Sequence, residues 1–263
     1  MDISSAQHAL VTGGASGIGR GIADALARHG VAVTIADIDS AAIDATLADR
    51  PGAFRGAVLD VRDPEGWRSV KRDAEDVFGP VDILVNNAGI GFNGVDFADL
   101  DPRVFATVMD IDVTGVFNGI SAFAGDLRTR GRGHIVNTAS VMGLTAGVPG
   151  RGVYSAAKAA VVSMSEALRA ELAPAGVGVS VLCPGLVRSG LDDSTARLGG
   201  EVRRVDHIKG GDAGMAPETA GEIVVRGIAL DTPYILTHPH YLGNVSARFD
   251  SIAHSADALH AGA

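Results

Sequence analysis

Cysteine is nearly absent: Cys183 is the one example in 263 residues. An intrachain disulfide is therefore excluded, and the chain suits a reducing compartment such as the cytosol. Aromatic residues are scarce at 5%, so the core has to be built mainly from aliphatic side chains. No run approaches ~20 consecutive apolar residues, so no membrane span is expected. Met1 to His8 carry neither a basic stretch nor an apolar core, so no secretory leader is expected there. Positive charge is also in short supply. Against 31 Asp and Glu stand 22 Lys and Arg, a formal net charge of −9, which disfavours nucleic acid and anionic membrane as partners. An anionic small ligand is not disfavoured, because backbone N–H groups bind phosphate without help from net charge.

Glycine, by contrast, is abundant at 35 residues, and 46% of the chain is hydrophobic. That combination suits an α/β protein with many tight strand-to-helix turns. Short runs rich in Val, Ile and Leu lie at His8–Val11, Val31–Ala36, Gly56–Val61, Asp82–Val85, His134–Thr138, Val177–Leu182 and Tyr234–Thr237. Consecutive apolar positions mark strands buried on both faces. Helix patterns fall between them, at Gly17–His29, Ser40–Asp49, Pro64–Phe78, Pro102–Thr129, Val153–Ala175 and Pro217–Leu230. Pro64, Pro102 and Pro217 sit where a first helical turn tolerates proline. The alternation predicts a doubly wound parallel sheet, with ligands at the carboxyl ends of the strands. No linker, repeat or low-complexity tract interrupts it, so residues 1–263 read as one domain. The one long irregular segment, about Arg188–Met215, is expected to be a substrate lid.

Three places point to chemistry. The first strand runs into Thr12-Gly13-Gly14-Ala15-Ser16-Gly17-Ile18-Gly19. Glycines in that turn let the backbone approach a pyrophosphate, and the helix that follows aims its first N–H groups at the anion. Asp37 closes the next strand, where a carboxylate can accept hydrogen bonds from an adenosine ribose and repel a 2′-phosphate. No Arg or Lys lies in the glycine turn or directly after Asp37, so NAD is favoured over NADP. The competing reading is that Asp37 or Asp39 only caps the helix near Ser40. Third, Tyr154 and Lys158 share one helix face, and an ammonium near a phenol is expected to lower its pKa. Ser140, just past a buried strand, faces the same crevice and can hydrogen-bond a reacting oxygen.

These residues, with NNAG at 86–89, YSAAK at 154–158 and CPGLV at 183–187, resemble the short-chain dehydrogenases/reductases. The resemblance covers about residues 5–240. It implies a Rossmann-like three-layer fold whose seven strands run in the order 3-2-1-4-5-6-7. It implies that Gly13, Ser16, Gly17, Ile18 and Gly19 wrap the cofactor phosphates, that Asp37 holds the ribose, and that Asp60 and Val61 flank the adenine. Asn87, Ala88 and Gly89 would line the crevice, with Asn87 steadying the sheet. Tyr154 would be the acid/base, Ser140 the substrate's hydrogen-bond partner, and Lys158 the ligand of the nicotinamide ribose. Pro184, Gly185 and Val187 would hold the nicotinamide, and Ser189 would contact the cofactor.

One position departs from the family pattern: Asp112 stands where most members have Asn. In the family that Asn holds a relay water through its backbone carbonyl, a role that survives the change. An ionised Asp112 would favour cationic Lys158 and disfavour tyrosinate. The expectation is an active chain whose alcohol oxidation needs a more alkaline pH than an Asn-bearing relative; the alternative is a neutral replacement.

The expected activity is reversible hydride transfer between NAD and a secondary alcohol or ketone, hydrophobic or aromatic. Val141, Met142, Leu144, Val148 and Leu191 supply the apolar neighbours. The alternatives are an acyl-thioester ketone reductase, which Asp37 argues against, and an NAD-binding sensor without catalysis. Cys183 reads as a small buried hydrophobe. His238 and His240 lack the further ligands zinc needs, so no metal is expected. Trp67 reads as core or a groove contact, and Arg151 and Arg188 as contacts to an acidic substrate or as solvated groups. The resemblance further suggests a cytoplasmic dimer or tetramer packed through residues 102–129 and 153–175.

Overall fold

A computed structural model describes residues 1–48, 50, 53–145, 147–191 and 214–260. Seven strands form one parallel sheet: β1 (His8–Thr12), β2 (Ala32–Asp37), β3 (Phe54–Val58), β4 (Ile83–Asn86), β5 (His134–Thr138), β6 (Gly178–Cys183) and β7 (Tyr234–Leu236). Their order is β3-β2-β1-β4-β5-β6-β7, the expected Rossmann-like arrangement. Every residue of β1, β4 and β5 is buried, which is why these strands read as unbroken apolar runs.

Helices cover both faces: α1 (Gly17–Arg28), α2 (Ser40–Leu47), α3 (Pro64–Phe78), α4 (Pro102–Met109), α5 (Gly115–Arg130), α6 (Val141–Leu144), α7 (Gly152–Leu172), α8 (Pro217–Ala229) and α9 (Leu242–His260). Asp63 and Asp101 cap α3 and α4 by accepting from Glu65 N–H and Arg103 N–H, with proline in the first turn. Asp39 caps α2, accepting from Ala42 N–H, which leaves Asp37 for another role. Ile22, Leu26, Val33, Ile35, Val224 and Ile228 fill one side of the sheet. Leu10, Trp67, Leu84, Phe123, Leu127 and Ile135 fill the other. Each such side chain contributes roughly 1.5–3 kcal/mol through burial. Trp67 is core: it is 1% exposed, edge-on to Phe123, and its Nε1–H donates to Val61 O at 3.0 Å. Between α1 and α8 the packing is backbone on backbone. A Cβ at Gly21 would lie 2.0 Å from Pro217 O, and one at Gly221 would lie 2.1 Å from Gly21 O.

Three expectations are corrected. β3 spans Phe54–Val58 rather than 56–61: Leu59 and Val61 are buried, but the chain has already left the sheet. The stretch expected as one helix over 102–129 is α4 and α5 joined by a π-helical turn at Asp110–Thr114. By length and composition alone Pro102–Arg130 is apolar enough to cross a bilayer. Within the fold it packs against α3, α7 and the sheet. Finally, α9 was not anticipated. The expected lid lies outside the described residues except at its ends, which meet: Arg188 N–H donates to Met215 O at 3.0 Å, and Met215 N–H to Leu186 O at 2.9 Å.

Candidate active site

The glycine turn sits at the carboxyl end of β1. Gly13 and Gly17 have φ of +60° and +48°, values that L side chains resist. A Cβ at Gly19 would lie 2.2 Å from Gly13 O and 2.5 Å from Asn87 Nδ2, so that position admits glycine alone. Ser16 begins α1 without a side-chain cap bond, leaving the helix's first N–H groups facing the turn. Ser189 touches this turn, since a Cβ on Gly17 would lie 3.0 Å from its own Cβ. These features fit a pyrophosphate against bare backbone.

Asp37 ends β2 beside the turn. Its Oδ2 accepts from Ala15 N–H and its Oδ1 from Asp39 N–H, both at 3.2 Å. The carboxylate is thus fixed where the strand meets both following turns. Asp60 is held by Arg62 through a bidentate pair, which keeps its carboxyl below the usual range. Val61 turns its carbonyl inward, to Trp67 and to Asn118 Nδ2 at 3.0 Å.

At the end of β1, Thr12 ties the crevice together. Its Oγ1 accepts from Asn87 N–H at 2.9 Å and Ala88 N–H at 3.0 Å. Asn87 Nδ2 donates to Thr12 O at 3.0 Å, and Asn87 Oδ1 accepts from Thr138 Oγ1 at 3.4 Å. One side chain therefore links the ends of β1, β4 and β5. Deeper, Asn86 Nδ2 donates to Asn137 Oδ1 at 2.8 Å, and Asn137 Nδ2 to Ser165 Oγ of α7 at 3.0 Å. This buried polar chain fixes α7 against the sheet.

Helix α7 carries Tyr154 and Lys158 into the crevice, both buried. Lys158 Nζ lies 5.6 Å from the Tyr154 ring centre and donates to Thr138 O at 3.3 Å. Ser140, at the N-terminus of α6, accepts from Met142 N–H at 3.2 Å and its hydroxyl donates to Pro184 O at 3.5 Å. α6 packs tightly on α7: a Cβ at Gly143 would lie 2.6 Å from Lys158 O. On the opposite side the π-helical turn brings in Asp112. Its Oδ2 is 3.0 Å from Lys158 Nζ, an ion pair without a well-aligned hydrogen bond. Its Oδ1 accepts from Ile90 N–H at 2.8 Å.

These contacts set the protonation states. Burial, opposed by Lys158, raises the Asp112 carboxyl. Burial also raises the Tyr154 phenol; Lys158 and the Ser140 hydroxyl pull it down, and Asp112 pushes it up. The expected lowering of Tyr154 by Lys158 is thus outweighed here by burial, with Asp112 adding to it. Lys158 is desolvated, yet its pKa is raised, because Asp112 and Tyr154 hold the ammonium. Cys183 behaves as a buried small hydrophobe, its thiol pushed up to about 12 by burial.

The loop after β6 closes the crevice. Gly185 lies beneath His238 and Tyr241, since a Cβ there would come within 2.8 Å of both rings. Arg248 of α9 donates to Gly143 O at 3.3 Å and Leu144 O at 3.2 Å, just past Ser140. Arg188 donates to Gly214 O at 3.4 Å. Sequence reading missed Thr12, Thr138, Asn137, Ser165 and Arg248. Thr12 and Thr138 lay inside recognised motifs, but nothing in a sequence announces which carbonyl or hydroxyl a buried partner will choose. Among the described residues no group of three His, Cys, Asp or Glu stands together as a metal site.

Comparison with known proteins agrees with this geometry. Residues 7–197 match the family described as short chain dehydrogenase. The probable oxidoreductase EphD of Mycobacterium tuberculosis is 39% identical over 206 residues, 76% of this chain and 34% of that protein. The chain thus spans about a third of that relative's length. The C alpha-dehydrogenase of a Sphingobium species is 31% identical over 265 residues, 95% of this chain and 86% of that protein. A short-chain dehydrogenase/reductase from Burkholderia phymatum, solved in complex with NAD, superposes with a TM-score of 0.88 at 32% identity, covering 97% of each chain. With the seven-stranded order, the glycine turn and the Ser140–Tyr154–Lys158 grouping, these matches show that the chain is an oxidoreductase of the short-chain dehydrogenase/reductase family.

Proposed function

We propose that this chain transfers hydride reversibly between NAD and a secondary alcohol or ketone. The observation that carries the reading is the buried grouping of Ser140, Tyr154 and Lys158 at the carboxyl end of β5, across the crevice from the bare glycine turn. In this reading Gly13, Ser16, Gly17, Ile18 and Gly19 hold the cofactor phosphates. Asp37 takes the adenosine ribose, Asp60 and Val61 flank the adenine, and Asn87, Ala88 and Gly89 line the middle of the crevice. Pro184, Gly185, Val187 and Ser189 bind the nicotinamide end. Bound NAD supplies the hydride acceptor.

The chain's own groups handle orientation and the proton. The Ser140 hydroxyl holds the substrate oxygen beside the Tyr154 phenol. Tyr154 Oη takes the alcohol proton during oxidation or gives it to the ketone oxygen during reduction. Lys158 stabilises the phenolate and binds the nicotinamide ribose. Asp112 fixes the Lys158 ammonium and raises the cost of the tyrosinate. Because the phenol is raised, the free chain holds Tyr154 protonated at neutral pH, the state that donates to a ketone.

Asp37 supports NAD: its fixed carboxylate meets a 2′-hydroxyl with acceptors and a 2′-phosphate with like charge. Its position also argues against an acyl-thioester ketone reductase that uses NADP. Val141, Leu144 and Leu191 give the site apolar walls for a hydrophobic or aromatic substrate, and the match to a C alpha-dehydrogenase is compatible with one. The reading also places the enzyme in the cytoplasm. Exposed Phe105 and Phe117 on α4 and α5 support packing of copies through those helices and α7. The test is NADH formation from NAD and a panel of secondary alcohols, with Tyr154→Phe as control. A second reading, a cofactor-binding sensor, draws on the Asp112–Lys158 pair, which occupies the ammonium; NAD binding without turnover in the parent would select it.

A further inference from the structure

We infer that α9 pairs antiparallel with the α9 of a second copy of this chain. Helix α9 runs from Leu242 to His260 with no buried residue, and of the named elements it meets chiefly the turn at Pro239–Tyr241. An isolated helix of this length is marginal in water, so its apolar side chains need a partner. Leu242 (53% exposed), Phe249 (63%), Ile252 (57%) and Leu259 (82%) all face solvent. With Val245 and Ala256 they repeat at alternating spacings of three and four, the period of a helix that packs along another helix.

The stripe is also symmetric about its own centre. Reversing it places Leu242 on Leu259, Val245 on Ala256, and Phe249 on Ile252. A two-fold axis between Phe249 and Ile252 therefore satisfies all six positions at once, which is what a self-complementary interface requires. Large meets large in the Leu and Phe–Ile pairs, and the small Ala256 leaves room for Val245. Of the flanking positions, Ser246, Ala253 and Ser255 are small and uncharged, and the charged Arg248 is drawn to Gly143 O and Leu144 O. A parallel pair would instead align the two helix dipoles. Two such seams remove on the order of 1,000 Å² from water, the size at which an interface becomes specific.

The antiparallel register has a consequence for the crevice. The helix is about 28 Å long. The partner's end at Leu259 would come to rest at Leu242, directly after the turn whose Tyr241 packs over Gly185. Arg248, bonded to Gly143 O and Leu144 O, ties the same helix to the segment that begins at Ser140. Pairing therefore covers the substrate side of each copy. The inference does not depend on the proposed reaction, because its tests read mass and cross-linking.

Mass by light scattering is compared for the parent and the Phe249→Asp, Ile252→Asp double variant, with NAD binding confirming the fold. The expected result is an assembled parent whose mass halves in the variant. Equal masses, or a parent that is already monomeric, would overturn the inference, as would a monomer that binds phosphatidylcholine vesicles through this stripe. Register is read separately by mild oxidation. Leu242→Cys and Leu259→Cys combined in one chain should give a covalent dimer, and neither alone should, because like positions lie about 25 Å apart. Cross-linking by either single variant would overturn the antiparallel arrangement.

Discussion

The Asp112 carboxylate lies 3.0 Å from the Lys158 ammonium, with both side chains buried. Lys158 favours the ionised carboxylate against the burial that raises it, and removing one partner leaves the other stranded. Tyr154 then sits near a pair whose charges act on it in opposite senses. Lys158 favours its phenolate and Asp112 opposes it.

Asp112→Asn keeps the shape and the bond that accepts Ile90 N–H while removing the negative charge. Alcohol oxidation needs deprotonated Tyr154, so its rate climbs with pH through the phenol's raised pKa. Removing the opposing charge should move that climb to lower pH. The check is the pH–rate profile of oxidation in the parent and the variant. Superimposable profiles would show that Asp112 has no influence on Tyr154.

Asp37→Asn removes the charge that meets a 2′-phosphate. The ratio of kcat/KM for NADP to that for NAD should rise about tenfold or more, a differential of about 1.4 kcal/mol. Steady-state kinetics with both cofactors decides it. An unchanged ratio would mean that discrimination lies elsewhere.

Gly19→Ala puts a methyl group 2.2 Å from Gly13 O. The turn has to open, and its N–H groups lose their aim. NAD affinity should fall at least about tenfold, while the sheet, packed elsewhere, unfolds at nearly the parental temperature. Calorimetric titration and thermal unfolding separate the two effects; parental affinity would contradict the role of the turn.

Acid should destabilise the fold through His134. Burial lowers this imidazole to about 4 from 6.5, and its Nε2 bonds Ser180 Oγ at 2.8 Å. Ser180 donates to Thr232 O, so His134 is the donor to Ser180. The folded chain therefore binds fewer protons than the unfolded one between those values. Stability is complete above about pH 6.5 and is lost as pH falls toward 4, by about 2 kcal/mol at pH 5. Urea unfolding at pH 7 and pH 5 measures this, and His134→Gln should flatten the difference. An equal drop in both proteins would assign it to other groups.

Much of this was legible in the sequence because the relevant physics is local. The central strands are buried on both faces, so their apolar runs are continuous. Gly19 and Asp37 sit in turns whose chemistry shows in a few neighbouring residues. Edge strand β3 was misplaced because its residues are only half covered, while Leu59 and Val61 bury themselves beyond the sheet. The π-helical turn at Asp110–Thr114 leaves the apolar pattern nearly intact, yet it is the segment that carries Asp112 to Lys158. Helix α9 escaped notice because, among the described residues, its apolar stripe is largely exposed and adds nothing to the core pattern. The net direction of the Tyr154 shift needed burial, which no spacing of Tyr and Lys reveals.

The most direct test of the account is NADH production from NAD and secondary alcohols at alkaline pH, comparing the parent with Tyr154→Phe. The phenol's oxygen is the atom assigned to the proton, and the phenyl ring preserves the packing. The account predicts turnover by the parent and its loss, by about a hundredfold or more, in a variant that still binds NAD. Equal turnover in the two proteins would contradict it.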